Sequence, residues 1–328
     1  MEENPIYIDN LQYANWSPEL FKQMKTGKLS AVHVTICYHE NFRETIDNII
    51  KWNNWIEKFP NRLMLGKNGD DVRKAHREHK TAIFFGFQNC TPIEDNLGLI
   101  EIFYQLGIRF MQLSYNNQSL LATGCYEKKD SGITRFGKQA IREMNRIGLV
   151  IDMSHSAKQS TLEAIELSEK PIAITHANPS WWHPALRNKC DEVLRAVTQN
   201  NGMIGFSLYP HHLKNGSNCS LTSFCQMIAE CVDKYGIKNI GIGSDLCQNQ
   251  PDSVVEWMRN GRWTKTMDFG EGDKSNPGFP EQPKWFSKIS DFPKIGKGLE
   301  KIGFSKSEVN NIMGANWLSF YDQNFGSK

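Results

Sequence analysis

Residues 148–191, GLVIDMSHSAKQSTLEAIELSEKPIAITHANPSWWHPALRNKCD, constrain the fold more than any other stretch of the chain. Two short apolar runs, Leu149-Val150-Ile151 and Ile172-Ala173-Ile174, each lead to a histidine, His155 and His176. Between them, Ser156-x-x-Gln159 is a capping-box pattern, and the segment after it carries Leu162, Ile165 and Leu167 at helical spacing. Strand, helix, strand with polar residues leaving the strand ends is a βαβ unit. It sets two imidazoles at the carboxyl ends of neighbouring parallel strands, the face on which barrels carry out chemistry. Either histidine alone reads as a satisfied loop residue. The pair, followed 11 residues later by Arg187, reads as part of an active site.

The rest of the chain repeats the rhythm. Strands are expected at 6–8, 31–36, 81–87, 108–114, 202–208 and 239–245, which with the two above make eight. Helical segments lie between them: one starts at Ser17-Pro18 with proline at its first position, and another, 134–147, is stopped by Gly148. Eight strands alternating with helices predict a single-domain (β/α)8 TIM-type barrel over 1–328. A doubly wound open sheet is the weaker alternative, because no glycine-rich phosphate loop follows the first strand. Residues 247–295 break the pattern with Gly, Pro, Trp and charge. A segment of that length placed after the eighth strand reads as a lid-like loop over the barrel mouth.

Composition narrows the partners. Lys+Arg of 38 against Asp+Glu of 36 gives a net charge of +2, which points to neither nucleic acid nor an anionic membrane. Eight cysteines without CxxC spacing read as reduced packing residues. The polar start MEENPIYIDN has no signal-peptide pattern, so a cytoplasmic location is expected. Homodimerisation stays open.

A series of motifs runs through the chain: Leu106-Gly107-Ile108-Arg109-Phe110, Gly132-Ile133-Thr134-x-Phe136-Gly137, Glu143-Met144-Asn145-Arg146-x-Gly148 and Ile151-Asp152-Met153-Ser154-His155. Thr175-His176, Arg187-Asn188-x-x-Asp191, Gly241-x-Gly243-x-Asp245 and Met313-Gly314-Ala315-Asn316-Trp317 continue it. Together and in register, these motifs resemble the renal or membrane dipeptidase family of the amidohydrolase superfamily. The resemblance implies a barrel that hydrolyses dipeptides with zinc, two ions being usual. It implies that His155 and His176 are zinc ligands, that Arg187 grips the substrate carboxylate and that Asp245 is the catalytic aspartate moving protons. Each role suits its residue type: imidazole is a good zinc ligand, a guanidinium fork matches a carboxylate, and a carboxylate beside bound water can shuttle its proton.

The chain also departs from the family's pattern. Leu11 and Tyr13 stand where the family has a His-x-Asp pair for the first zinc, Gln88 stands at the bridging glutamate and Tyr115 at a substrate-contacting histidine. The expectation is therefore one zinc at most, or none, held by His155, His176 and Asp245, with His33 as a candidate newcomer. Tyr13, Gln88 and Tyr115 are expected to face the substrate, and Trp181 and Trp182 to pack near it. The predicted function is hydrolysis of an amide bond in a small carboxylate-bearing molecule. The alternatives are a metal-free amidohydrolase-type enzyme for another small molecule, or an inactive binding protein on the same barrel.

Overall fold

The computed structural model describes residues 5–262, 264–267 and 270–325. Nine strands form one parallel sheet: β1 Tyr7–Gln12, β2 Leu29–Cys37, β3 Leu63–Leu65, β4 Thr81–Phe87, β5 Ile108–Gln112, β6 Val150–Asp152, β7 Ala173–Ile174, β8 Met203–Phe206 and β9 Ile240–Ile242. Eight of them follow in the order β1-β2-β4-β5-β6-β7-β8-β9, while β3 pairs only with the start of β4. The ring closes through a bridge between Gln12 and Leu246, with the Asp245 N–H donating to the Leu11 carbonyl at 2.9 Å and the Tyr13 N–H to the Leu246 carbonyl at 3.0 Å. Eight parallel strands with helices between them are the barrel that the sequence predicted. β3 was not foreseen; three residues carry too little periodicity to show.

Local sequence accounts for the helices. Ser17 caps Pro18–Thr26, Asn41 and Glu44 form a reciprocal capping box on Phe42–Lys58, and Gly148 ends Arg135–Ile147 at φ 83°, a left-handed conformation open to glycine. One expected cap is different. Helix Lys158–Leu167 starts after Ala157, and its free N–H groups at Gln159 and Ser160 are taken by the Asp130 carboxylate from a distant loop, at 2.5 and 3.3 Å. The Ser156 hydroxyl is turned inward to Ser114, 2.9 Å away, and so is not free to cap.

Apolar side chains form two layers. Leu, Ile, Val and Phe on the outer faces of the strands pack under the helices as one large core. Inside the barrel, Ile8, Ala31, Phe84, Phe110, Val150, Ala173 and Met203 make a second core, closed at the amino-terminal end by Trp317, Phe320, Tyr321 and Phe325. Helix Asn316–Asn324 is thus a plug. Trp317 is fully buried and donates its indole N–H to the Ile242 carbonyl at 3.1 Å. A Cβ on Gly241 would stand 2.3 Å from that nitrogen, so the Gly241-x-Gly243 motif begins with a glycine that makes room for the plug.

A buried carboxylate fastens the closing seam. Asp9 on β1 accepts from the Ser244 N–H at 2.7 Å, the Ser244 hydroxyl at 2.5 Å and the Gln12 amide at 2.7 Å. All eight cysteines are free thiols. No helix among the described residues is long and apolar enough to cross a membrane.

Removing the plug tests this reading of the core. Trp317→Ala should lower the unfolding free energy by about 3–5 kcal/mol, the usual cost of a large buried aromatic, measured by urea unfolding.

Candidate active site

The residues that follow β4, β5, β6, β8 and β9 turn towards one small cavity of about 40 Å³ at the carboxyl ends of the strands. Gln88, Tyr115, His155, Arg187, Tyr209, His212 and Asp245 are on its wall. His176 stands directly behind, its Nε2 3.0 Å from Nε2 of His155. The two βα-loop histidines read from the sequence are therefore neighbours.

The protons around this pair can be assigned. Asp152 is fully buried and accepts from the Ser154 hydroxyl at 2.5 Å and the Thr175 hydroxyl at 2.6 Å. With its proton committed to Asp152, the Thr175 oxygen accepts from His176 Nδ1–H at 2.8 Å. Nε2 of His176 is then a bare lone pair. His155 Nδ1 lies 2.7 Å from the Asn116 carbonyl oxygen, which the Cys125 thiol also approaches as a donor at 3.4 Å, so this nitrogen carries the hydrogen and His155 Nε2 is a second lone pair. Gln88 commits its amide N–H groups to the Thr35 hydroxyl at 2.8 Å and the Tyr38 hydroxyl at 2.9 Å, and directs its carbonyl oxygen to His155 Nε2 at 2.9 Å. Three acceptors converge with no proton among them. Burial, reinforced by the Arg187 charge, pushes both imidazoles well below their usual range, which disfavours filling the gap with a shared proton. The donor set suits a metal cation.

Arg187 is 2% exposed. It donates to the Ser154 carbonyl from one terminal nitrogen and to the His176 carbonyl from the other, at 3.2 Å, bracing the loops after β6 and β7. Arg187 is also one of the residues lining the cavity. Lys189 lies close by, fully buried, donating to the Ser156 carbonyl at 2.6 Å, and burial pulls its ammonium down to about 8.

Asp245 differs from its expected place as a ligand. No group of three or more His, Cys, Asp or Glu side chains among the described residues is arranged to hold a metal, so His155, His176 and Asp245 do not form a ligand trio. The backbone explains the difference. Asp245 sits in the left-handed region at φ 56° with its N–H bound to Leu11, so the residue is committed to closing the barrel. Its carboxyl is on the cavity wall, raised to about 7 mainly by burial, with Asp9 and Asp152 adding and Arg187 opposing. The third atom beside the histidines is the Gln88 carbonyl oxygen.

Tyr115 stacks on His155 with ring centroids 4.1 Å apart and faces the cavity. Tyr13 does not. It lines a separate cavity with Glu40 and Trp52, because β1 loses its regular register between Asp9 and Gln12 and the simple two-residue alternation fails there. Tyr38, unremarked in the sequence, fills the space between: its ring meets Tyr13 edge-on at 4.7 Å and Tyr115 at 5.1 Å. His33 is a core residue, stacked on Phe110 at 4.5 Å with Nδ1 bound to the Asn10 carbonyl at 2.9 Å. Its Nε2 faces Gly86, where a Cβ would lie 1.9 Å away. Trp181 bonds the Tyr235 hydroxyl at 3.0 Å and packs outside the cavity.

The segment after β9 contributes a wall of its own. Helix Asp252–Asn260 brings Val255, Met258 and Arg259 to the cavity, and Glu271 accepts from the Arg187 backbone N–H at 3.2 Å while lying 3.7 Å from His212 Nε2. A carboxylate 26 positions beyond Asp245 in an irregular segment leaves no periodic signal in sequence. Asn116 and His212 lie directly beside strand-end residues and were discernible only by that position.

Residues 13–257 match the family model described as membrane dipeptidase, peptidase family M19. The crystal structure of an amidohydrolase from Pseudomonas aeruginosa is 33% identical with a TM-score of 0.92, covering 98% of this chain and 97% of that one. A metallo peptidase from Rhodobacter sphaeroides, solved with a phosphinate mimic of the dipeptide L-Ala-D-Ala, has a TM-score of 0.79 at 14% identity over 98% and 100% of the two chains, a likeness of fold. Dipeptidase tcpJ of Claviceps purpurea is 23% identical over 282 residues, 85% of this chain and 59% of that protein. The chain thus spans about 60% of the length of the curated relatives it matches.

The burial of His33 has a pH signature. Its imidazole is pulled down to about 3 in the folded chain, chiefly by burial, against about 6.5 when unfolded. Between those values the unfolded chain binds the extra proton, so this contribution is full above about pH 6.5 and is lost as pH falls towards 3. His33→Phe, which keeps a ring against Phe110, should flatten the fall in urea midpoint across that window; an unchanged slope would contradict the assignment.

Proposed function

This chain belongs to the membrane dipeptidase family, peptidase family M19, and on that premise we propose that it hydrolyses a C–N amide bond in a small carboxylate-bearing molecule, a dipeptide or a relative, with a single zinc ion. The observation that carries the reading is the meeting of three unprotonated acceptors, His155 Nε2, His176 Nε2 and the Gln88 carbonyl oxygen, within 3.0 Å steps of one another. These residues would hold the ion, which when bound lowers the pKa of water and polarises a carbonyl.

A single ion is favoured by Gln88. A glutamate can face a cation with each oxygen, but here the second arm is an amide nitrogen occupied by Thr35 and Tyr38. Nor do positions 11 and 13 offer ligands: the Leu11 side chain is hydrocarbon and buried, and Tyr13 lies in a neighbouring cavity.

The chain's own groups supply the rest. Arg187, already braced by two carbonyls, presents the remainder of its fork to a substrate carboxylate. Asp245 carries a proton between the attacking water and the leaving amine, a task that a carboxyl near neutrality suits. Tyr115 holds the His155 ring from one side. The cavity of about 40 Å³ has room for water but not for a dipeptide, since ligand pockets run to about 300 Å³ and more. We therefore assign 247–295 the role of a lid whose helix and Glu271 withdraw for substrate entry and return to exclude water.

Elemental analysis of protein purified without added metal should give about one zinc per chain; two would end the single-ion reading, and none in an active enzyme would favour a metal-free mechanism. Arg187→Lys, a point charge in place of a fork, should raise KM by the equivalent of about 1.5–3 kcal/mol in a dipeptide hydrolysis assay. Asp152→Asn should weaken zinc binding about 10–100-fold in a chelator competition, because an amide cannot accept from both hydroxyls and the His176 tautomer is released.

A further inference from the structure

A basic concavity lies at the opposite end of the barrel from the candidate active site. It lies at the amino-terminal ends of β2 and β4, beside Leu29, Ser30 and Thr81, and encloses about 610 Å³. Its floor is apolar, with Pro5, Ile6, Phe21 and Leu29. Its rim is basic, with Lys25, Lys28, Arg62, Arg73, Arg77 and Lys80, and no aspartate or glutamate among the described residues lines it. In a chain whose net charge is only +2, this is a local concentration of charge.

Two of the six cations are already matched. Arg73 pairs with Asp70 and Asp322, and Lys80 with Glu78. Arg62 donates to the Pro18 carbonyl at 3.3 Å. Lys25, Lys28 and Arg77 make no ion pair among the described residues. Like charges gathered round a hollow repel one another, and a bound anion relieves that repulsion.

The local backbone shows how two of the lining side chains are placed. Lys28 and His79, both on the lining, occupy the left-handed region at φ 57° and φ 56°. Glycine takes that conformation without strain, yet at both positions the chain keeps a nitrogen-bearing side chain at the cavity. Both residues end helices, Lys28 after Pro18–Thr26 and its cap Gly27, His79 after Gly69–Arg77 and its cap Glu78, so the two helix ends deliver these side chains to the groove.

We infer that this groove binds a small phosphorylated molecule with an apolar or aromatic body, of nucleotide size. Guanidinium forks and ammonium groups match phosphate oxygens, and several cations suit a multiply charged ligand better than a single carboxylate. The floor of Ile6, Phe21 and Leu29 takes the apolar body, and the volume falls within the range of small-molecule pockets. This site is independent of the chemistry proposed at the other end of the barrel.

The test is calorimetric titration of the full chain with ATP and with inorganic pyrophosphate at low and at moderate salt. ATP should bind at one site, more tightly than pyrophosphate, and weaken as salt screens the rim. Lys28→Gly is the informative variant, since it removes the charge and relieves the backbone together. It should weaken ATP binding, by about tenfold or more when combined with Arg77→Gln, while the melting temperature of the single variant does not fall. The inference is overturned if ATP does not bind, if binding survives both substitutions, or if pyrophosphate binds as well as ATP. Sedimentation of the chain with phosphatidylglycerol vesicles in the absence of ATP binding would likewise overturn it, in favour of a membrane surface.

Discussion

The Asp152 carboxylate is the interaction on which the candidate site depends. The ladder between β6 and β7 is a single residue pair, Asp152 with Ala173, too short to hold two strand ends in register unaided. The carboxylate supplies what the ladder lacks, accepting from the N–H and hydroxyl of both Ser154 and Thr175. Through Thr175 it also decides which nitrogen of His176 carries hydrogen. One buried charge thus sets the geometry and the electronic state of the histidine pair. Asp9 does the corresponding work at the seam between β1 and the end of β9, bonding Ser244 through backbone and side chain alike. Without these two carboxylates the strand ends that carry His155, His176 and Asp245 would rest on little more than loop contacts.

The barrel was legible in the sequence because it depends on periodicity. Runs such as Thr81-Ala82-Ile83-Phe84-Phe85 declare a buried strand wherever they occur, and a histidine just past such a run is placed by the fold itself. His155 and His176 could therefore be brought together from sequence. What depends on local backbone could not. Asp245 lies at a strand end like the histidines, but its left-handed φ and its bond to Leu11 depend on the closing of the barrel, a contact between residues more than 230 positions apart. Tyr13 escaped for a similar reason, since a register shift in β1 breaks the alternation that would have aimed it inward. Ser156 has the right neighbours for a cap, but Ser114 holds its hydroxyl and Asp130 takes over the role. Gln88 stands where the family has a bridging glutamate; its use as a single carbonyl ligand is visible only with Thr35 and Tyr38 beside it.

The two ends of the barrel are built on different principles. At the carboxyl end, polar groups are buried, mutually bonded and roofed by the segment after β9, so that the cavity is small and its electrostatics are weakly screened. At the amino end, cations stand around an open hollow above an apolar floor, where solvent and salt have access. Between them runs the inner core from Ile8 to Met203, a dry partition that separates the two sets of charges.

The plug at the base of that partition has a consequence for the order of assembly. Trp317 and Tyr321 are made after every strand they fill, yet Gly241 is left bare so that the indole can enter. On a ribosome, the emerging cylinder therefore has a hollow lower end until helix Asn316–Asn324 leaves the exit tunnel. Until then Phe84 and Phe110 lack the aromatic rings that cover them. Completion of the inner core waits on helix Asn316–Asn324, and a nascent chain stalled short of Asn316 would expose the apolar surface that chaperones recognise.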